Sequence, residues 1–579
     1  MAKFRTGSLK KLFTFTRPYR GQLYFAMIMS VLLAALTPVR PYLIQLSVDK
    51  YISNYLWEGL LWISLIHFCL VWVESGLRFW FMYRINWLGQ TVVNDIRKTV
   101  FQKVIYQDIA YYDTTPIGTL TTRTINDIEA INDVFSEGLI SIVADILTII
   151  SIIVVMLFTD WRLTLVCLAP FPLLIIATYF FKESVNKSFQ RVRNAVASLN
   201  AFVQEHLTGM YLLQAFAAER KEAGKFDKIN KEHRNANIKA IFAYSVFFPV
   251  VEIILAISMG LLVWYGAREI LHEKLTPGII ISFVMYLNLL FRPLRMLADK
   301  FNVLQMGLIA GDRVFTVLDS EEHLKENGNH SAGKIKGDVV FENVFFNYKP
   351  DVPVLKGISF HVPAGKTMAI VGHTGAGKTS IISIINRLYE IQQGKILIDN
   401  TAIHQYDIYS LRSKIGIVLQ DVFLFSGTIL ENITLRNEKI DRERVMKVCK
   451  SIGIHDFIMQ LPGDYHFNVM ERGNNLSQGQ KQLLSFARAL LYDPAILILD
   501  EATSSIDTET EQLIQNAIDT IIAGRTSIII AHRLSTIRKA DKIIVLEKGK
   551  ITEQGTHQQL IRHQGVYHEL YKAVEKEEV

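Results

Sequence analysis

Cysteine is almost missing: Cys69, Cys167 and Cys449 are the only three in 579 residues, and they lie far apart. So sparse a set excludes a disulfide framework and a cysteine-built metal site. Proline is scarce too, at 14 residues, and charged residues make up only 20% of the chain. The shortage of charge is concentrated in the first half, where a run such as 147–158 has no polar face to offer water. No convincing repeat at a short period is present. A cleavable leader is not expected, because the first 20 residues are basic and polar and the apolar stretch that follows is too long for one.

What fills the first half is hydrophobic residue. Half the chain is hydrophobic and its mean hydropathy is +0.22, high for a soluble protein. Six stretches, 21–46, 57–81, 135–158, 161–181, 241–266 and 278–297, each approach the length needed to cross a bilayer. The first is the weakest, interrupted by Pro38, Arg40 and Pro41. Lys and Arg in the flanks test this reading. Segments 1–20, 82–134 and 182–240 hold 6, 5 and 11, whereas 47–56, 159–162 and 265–277 hold 1, 1 and 2. Basic flanks favour the cytoplasmic side, so both termini are expected inside. The net charge of +7 is then accounted for by membrane flanks, and no nucleic-acid partner is needed.

The two long inward segments are helical in pattern. Between Arg84 and Tyr111 a helix would project roughly 35–40 Å beyond the bilayer. Turn-rich breaks follow around Asp113 and Pro116, and again near Gly209. Residues 1–319 thus read as an all-α membrane domain of six helices, and the polar segment 320–337 as a linker. Residues 338–579, where strands and helices alternate, read as an α/β domain.

In that last domain, an apolar strand at 368–371 runs into Gly372, His373, Thr374, Gly375, Ala376, Gly377, Lys378, Thr379 and Ser380, a complete G-x-x-x-x-G-K-T phosphate-binding loop. Its glycines let backbone N–H groups approach phosphates, Lys378 reaches the β and γ oxygens, and the Thr379 hydroxyl is placed to ligate Mg²⁺. A second apolar strand, 495–499, delivers Asp500 and Glu501, and a third, 527–531, delivers His532. Ligands of open α/β sheets sit at this carboxyl edge. There Asp500 suits Mg²⁺ and Glu501 suits an attacking water, while His532 becomes a γ-phosphate contact. Ser477 followed three residues later by Gln480 is a capping-box pattern, which starts a helix with free N–H groups and makes a second anion site.

Six spans followed by this domain resemble an ATP-binding cassette exporter of the half-transporter type, over nearly the whole chain. The most specific element is Leu476, Ser477, Gln478, Gly479 and Gln480, similar to the family signature and placed shortly before Asp500. The resemblance implies an α/β P-loop ATPase with a helical subdomain, using ATP and Mg²⁺. It assigns Tyr348 to stacking on adenine and Gln420 to sensing Mg²⁺ and the attacking water. Ser504 to Asp507 become the loop between two ATP sites, and Ser477 to Gln480 the contact to ATP from the opposite protomer. It also implies a partner half-transporter, identical or not, and coupling helices at the breaks near Asp113 and Gly209. The chain departs from the commonest family pattern at Gln478, at Met470 and at Ser505 and Ile506, none of which removes a catalytic atom. Gln478 leaves open whether the two ATP sites are equal.

Cargo is read only from charges within the spans. Glu74 and Arg78, four apart, neutralise each other on one helix face. Arg40, Asp145, Glu252, Arg292 and Arg295 either line a watery substrate cavity or pair across helices, and their signs do not choose between cationic amphiphiles and anionic lipids. The expected activity is ATP-driven export or flipping of hydrophobic or amphipathic drugs or lipids across the cytoplasmic membrane by alternating access. The rival readings are an ATP-gated channel or regulatory subunit, and a flippase specific for lipid.

Overall fold

The computed structural model describes residues 6–320, 328–500, 508–531 and 533–578. The chain divides into two compact units, Met1–Ile105 with Ile117–Ser320, and Tyr106–Pro116 with Glu321–Val579.

The first unit carries six helical stretches long and apolar enough to cross a membrane: Arg17–Ile52, Trp57–Ile105, Ile117–Thr159, Trp161–Thr208, Glu219–Leu271 and Pro277–Leu318. Each apolar stretch expected from sequence falls inside one of them. Proline sets the breaks, since it lacks the N–H that the helix ladder needs. The first span ends one helix at Leu36, restarts at Val39 after Pro38, and closes in a π turn, Ser47–Ile52. The fourth span breaks between Leu168 and Phe171, at Pro170. One expectation is corrected here: the helix read as continuing to Tyr111 stops at Ile105, and a separate short helix, Ile109–Thr114, follows. Asp108 between them is extended, which ends the ladder. The second inward segment breaks at Gly209, before a short helix Met210–Ala215.

The second unit is built on two sheets. The antiparallel one comprises β1 (Val339–Lys349), β2 (Val352–Val362), β4 (Gln393–Ile398) and β5 (Thr401–Ala402), in the order β2-β1-β4-β5. The larger comprises β3 (Thr367–Val371), β6 (Ile415–Val418), β9 (Ile496–Asp500), β10 (Thr526–Ile530), β11 (Lys542–Glu547) and β12 (Lys550–Gly555). Its order is β12-β11-β3-β10-β9-β6, parallel except for the β11–β12 edge. A short ribbon pairs β7 (Gly427–Thr428) with β8 (Asn468–Val469). The parallel strands read as unbroken apolar runs because both faces are buried. Met368 and Ile370 of β3 join a core with the antiparallel sheet, whereas Ala369 and Val371 join a second core with the helices Arg442–Ser451 and Gln478–Leu491.

Candidate active site

The strand order brings three strand ends to one edge. β3 runs directly into the loop 372–377, β9 ends on Asp500, and β6 stops two residues short of Gln420. Between them lies a cavity of about 430 Å³ lined by Tyr348, Thr374, Lys378, Thr379, Gln420 and Asp500, together with Gly375, Gly377, Ser380, Val354 and Ile530. The loop holds its shape through backbone conformations open chiefly to glycine. Gly377, at φ +104°, starts the helix Lys378–Ile385, and a side chain at Gly372 would strike the Leu546 carbonyl. Nζ of Lys378 donates to the carbonyls of Gly372 (2.5 Å) and His373 (3.1 Å), so the loop curls around its own lysine. Gly372, His373 and Ala376 shape this loop without lining the cavity.

Burial governs the electrostatics. It lowers the ammonium pKa of Lys378, which the carboxylate of Asp500 partly restores. It raises the carboxyl pKa of Asp500, where Lys378 pulls down and Asp421 pushes further up. A buried ammonium and a buried carboxylate thus face one cavity, the kind of arrangement found where functional sites shift pKa values.

Tyr348 reaches the same cavity from β1. Its hydroxyl shares a hydrogen bond of 3.0 Å with Oγ of Ser380, and its ring meets that of Tyr389 edge-on at 5.0 Å. Tyr389 in turn donates to the carboxylate of Asp113, in the segment 106–116 that clusters with this unit. Sequence reading missed Tyr389, which nothing marks in a polar loop. The capping box does form: Ser477 accepts from the Gln480 amide N–H and donates its own to Oε1 of Gln480, at the start of the helix Gln478–Leu491. Glu501, Ser504, Asp507 and His532 lie outside the described residues.

Residues 23–294 match the family model described as the ABC transporter transmembrane region, and residues 355–504 match that described as ABC transporter. The chain is 39% identical to an uncharacterised ABC transporter ATP-binding protein of Bacillus subtilis, covering 98% of this chain and 95% of the relative. It is 34% identical to a putative multidrug export ATP-binding/permease protein of the same organism, covering 98% and 99%. It is 32% identical to an ATP-dependent lipid A-core flippase of Syntrophus aciditrophicus, covering 99% and 96%.

This chain belongs to the ABC transporter family. Carrying a transmembrane region and an ATPase in one polypeptide, it is a half-transporter of the exporter type, a multi-pass membrane protein that couples ATP hydrolysis to transport.

In the membrane helices of this ABC transporter, most of the charges left open by sequence find partners across helices. Arg40 lies 3.5 Å from Glu74, which also meets Arg78 at 3.2 Å. Asp145 pairs with Lys300, and Glu252 with Arg295 at 3.0 Å. Arg292 is exposed. Four of the five residues read as possible cavity lining are thus engaged in ion pairs within the unit.

Proposed function

We propose that this ABC transporter exports or flips hydrophobic or amphipathic compounds, drugs or lipids, across the cytoplasmic membrane. In this reading it works as a dimer of half-transporters, with both termini and the ATPase domain on the cytoplasmic side. The observation that carries the reading is one cavity lined by Lys378, Thr379, Gln420 and Asp500 in a chain whose other unit offers six membrane-length helices. The names of two relatives, a multidrug export protein and a lipid A-core flippase, support a lipophilic cargo. The pairing of Arg40, Asp145, Glu252 and Arg295 within the unit also favours it, since it offsets most of the intramembrane charge that a charged cargo would otherwise meet.

The residues divide the work as follows. The loop amides of 374–379 and Nζ of Lys378 hold and neutralise the β- and γ-phosphates. Tyr348, half-exposed beside the cavity, stacks on the base. One hydroxyl, one amide oxygen and one carboxylate, from Thr379, Gln420 and Asp500, are hard oxygen donors of the kind that suit Mg²⁺, and among the described residues no other acidic, His or Cys cluster would hold a metal. When bound, the ion offsets charge on the phosphate oxygens. Glu501 orients the water and His532 contacts the γ-phosphate. Ser477 to Gln480 supply the partner's contact to ATP, and Ser504 and Asp507 link the two sites. Closing the nucleotide dimer shifts the membrane helices from inward- to outward-open, a population shift driven by the ligand.

The test uses purified protein in vesicles with a panel of lipids and cationic dyes. ATPase activity stimulated by a compound, with accumulation of that compound, is expected, and both vanish with Glu501→Gln. ATP consumption with no solute moved, alone or with a second half-transporter, would overturn the reading.

A further inference from the structure

Among the described residues, the largest side chain that is fully buried is an arginine, Arg387. It lies two residues beyond the helix Lys378–Ile385, whose other end opens from the phosphate loop, and it takes a left-handed backbone, φ +48°, that is costly for a residue with a side chain. A guanidinium gives up water only where acceptors replace it. Here Nη1 donates to the carbonyls of Ile403 (3.4 Å) and Tyr406 (3.3 Å), and Nη2 donates to Oε1 of Glu390 (3.0 Å). The fork thus fastens the far end of the phosphate helix to the turn 403–407. Arg412 closes the same joint, donating to the carbonyls of Asn386 (3.0 Å) and Arg387 (2.8 Å), where a cation also suits the negative end of the helix dipole.

The turn 403–407 is also where the linker lands. His330 forms a single parallel bridge with Tyr406: its N–H donates to the Gln405 carbonyl (3.0 Å), and its carbonyl accepts from the Asp407 N–H (2.9 Å). Two residues on, the Ala332 N–H donates to Oγ of Ser410 (3.0 Å), and the Ala332 side chain is buried in the core that holds Ile384 and Ile385 of the phosphate helix. Gly328 lies so close to the turn that a Cβ there would strike the Gln405 carbonyl oxygen. Backbone bonds therefore strap the linker to a turn that Arg387 joins to the phosphate helix.

Resting on the phosphate contacts proposed above, we infer that Arg387 is a positioning residue through which the linker strap 328–332 sets the phosphate loop. Two observations favour this role over core filling. A buried charge is seldom the most stable way to fill a core, since an apolar side chain of similar volume avoids the cost of desolvation. The second is convergence. Asp108, in the segment 106–116, interacts electrostatically with Arg412, so the linker and that segment, both of which join this unit to the other along the chain, meet at one end of one helix. The opposite end of that helix faces the nucleotide cavity through Lys378 and Thr379. Eight residues of α-helix span only about 12 Å, so a displacement at the strapped end is felt at the loop.

The experiment measures KM for ATP, kcat and Tm of the full-length protein in vesicles, with strap and joint altered singly and together. His330→Pro removes the strap's N–H donor at an exposed position, and Arg387→Lys keeps the charge but not the fork that spans two carbonyls. Each should raise KM about three- to ten-fold, the worth of a hydrogen bond, with kcat little changed. The double variant should be no worse than the worse single one, because the second change falls on a connection already broken. Gly328→Ala, which pushes the strap off the turn by contact alone, should match His330→Pro. Should Arg387→Lys not fold, the two strap variants still decide, and a KM unchanged in both overturns the inference. So do losses that multiply in the double variant, or a KM raised by Arg387→Lys while the strap variants stay silent, since Arg387 would then only fill the core. Lys378→Ala tests the phosphate contacts separately: ATP bound as tightly as by wild type would sink those contacts, whatever the strap variants show.

Discussion

The Tyr389 hydroxyl donates a hydrogen bond to Oδ2 of Asp113, a residue 276 positions earlier in the chain. Tyr389 follows the helix that begins at Lys378, and Asp113 sits in the short helix Ile109–Thr114. Burial and the carboxylate together push the Tyr389 phenol pKa up, which keeps it a donor at any physiological pH. A second contact anchors the same segment: Asp108 interacts electrostatically with Arg412, whose guanidinium donates to the carbonyls of Asn386 and Arg387. Through Tyr348 the line continues to Ser380, next to Thr379 in the phosphate loop.

Removing the Tyr389–Asp113 bond should therefore loosen the link between nucleotide and segment 106–116 while leaving the nucleotide cavity intact. Tyr389→Phe deletes one hydrogen bond to a charged acceptor, worth about 1.5–3 kcal/mol, or roughly ten-fold or more in a coupling equilibrium. ATP affinity and basal ATPase should stay near wild type, and compound-stimulated ATPase and transport should fall about ten-fold. Asp113→Asn should behave alike. Equal losses in ATP affinity and transport would assign the bond to the nucleotide site itself.

Glu74 is buried between two guanidiniums, Arg40 from the first span and Arg78 one turn along its own helix. Glu74→Ala leaves two cations facing each other without a counter-charge, a change that costs about 3–5 kcal/mol where a buried pair is broken. Folded yield and thermal stability in detergent should drop sharply. Replacing all three with apolar residues, Arg40→Met, Glu74→Leu and Arg78→Leu, should recover most of the loss, because no charge then remains to be neutralised. A triple variant no better than Glu74→Ala would show that the trio does more than balance charge.

Much of this architecture is legible along the chain. The six apolar stretches, the break at Pro38 and the loop 372–380 follow from local pattern, as does the capping box at Ser477, because each depends on residues a few positions apart. What sequence left open depends on distance in space. Hydropathy shows that Arg40, Asp145 and Glu252 sit in spans, yet the choice between cavity and pairing is made by Glu74, Lys300 and Arg295, on other helices. The line from Ser380 to Asp113 is invisible for the same reason. The stop at Ile105 was missed because helical periodicity carries through a stretch that Asp108 interrupts by its backbone alone.

Ser477 has two separable duties, as the cap of the helix Gln478–Leu491 and as a group in the proposed contact to a partner's ATP. Ser477→Ala should cost about 1 kcal/mol as a lost cap. That lowers Tm by a few degrees, roughly 2–4 °C for a domain of this size. ATPase should fall much further, ten-fold or more, if the hydroxyl also meets phosphate. Activity that falls only as far as stability predicts would reduce Ser477 to a cap.

The acid limb of the pH profile tests Asp500 as a metal ligand. Only the ionised carboxylate holds Mg²⁺, and burial holds its pKa above the ordinary aspartate value of about 3.9. The sign follows: as pH falls from neutrality, Asp500 takes up its proton earlier than a free aspartate would, so Mg²⁺-dependent ATPase should decline with a midpoint above that value. Mg²⁺ and the proton compete for one carboxylate, so more Mg²⁺ should push the midpoint to lower pH, by up to about one unit per ten-fold rise once Mg²⁺ exceeds its dissociation constant. Asp421, whose charge raises the Asp500 pKa, supplies an independent handle. Asp421→Asn removes that repulsion and should move the limb the same way at fixed Mg²⁺. A midpoint indifferent to both changes would place the titrating group elsewhere, and Thr379 and Gln420 would then have to hold the ion without Asp500.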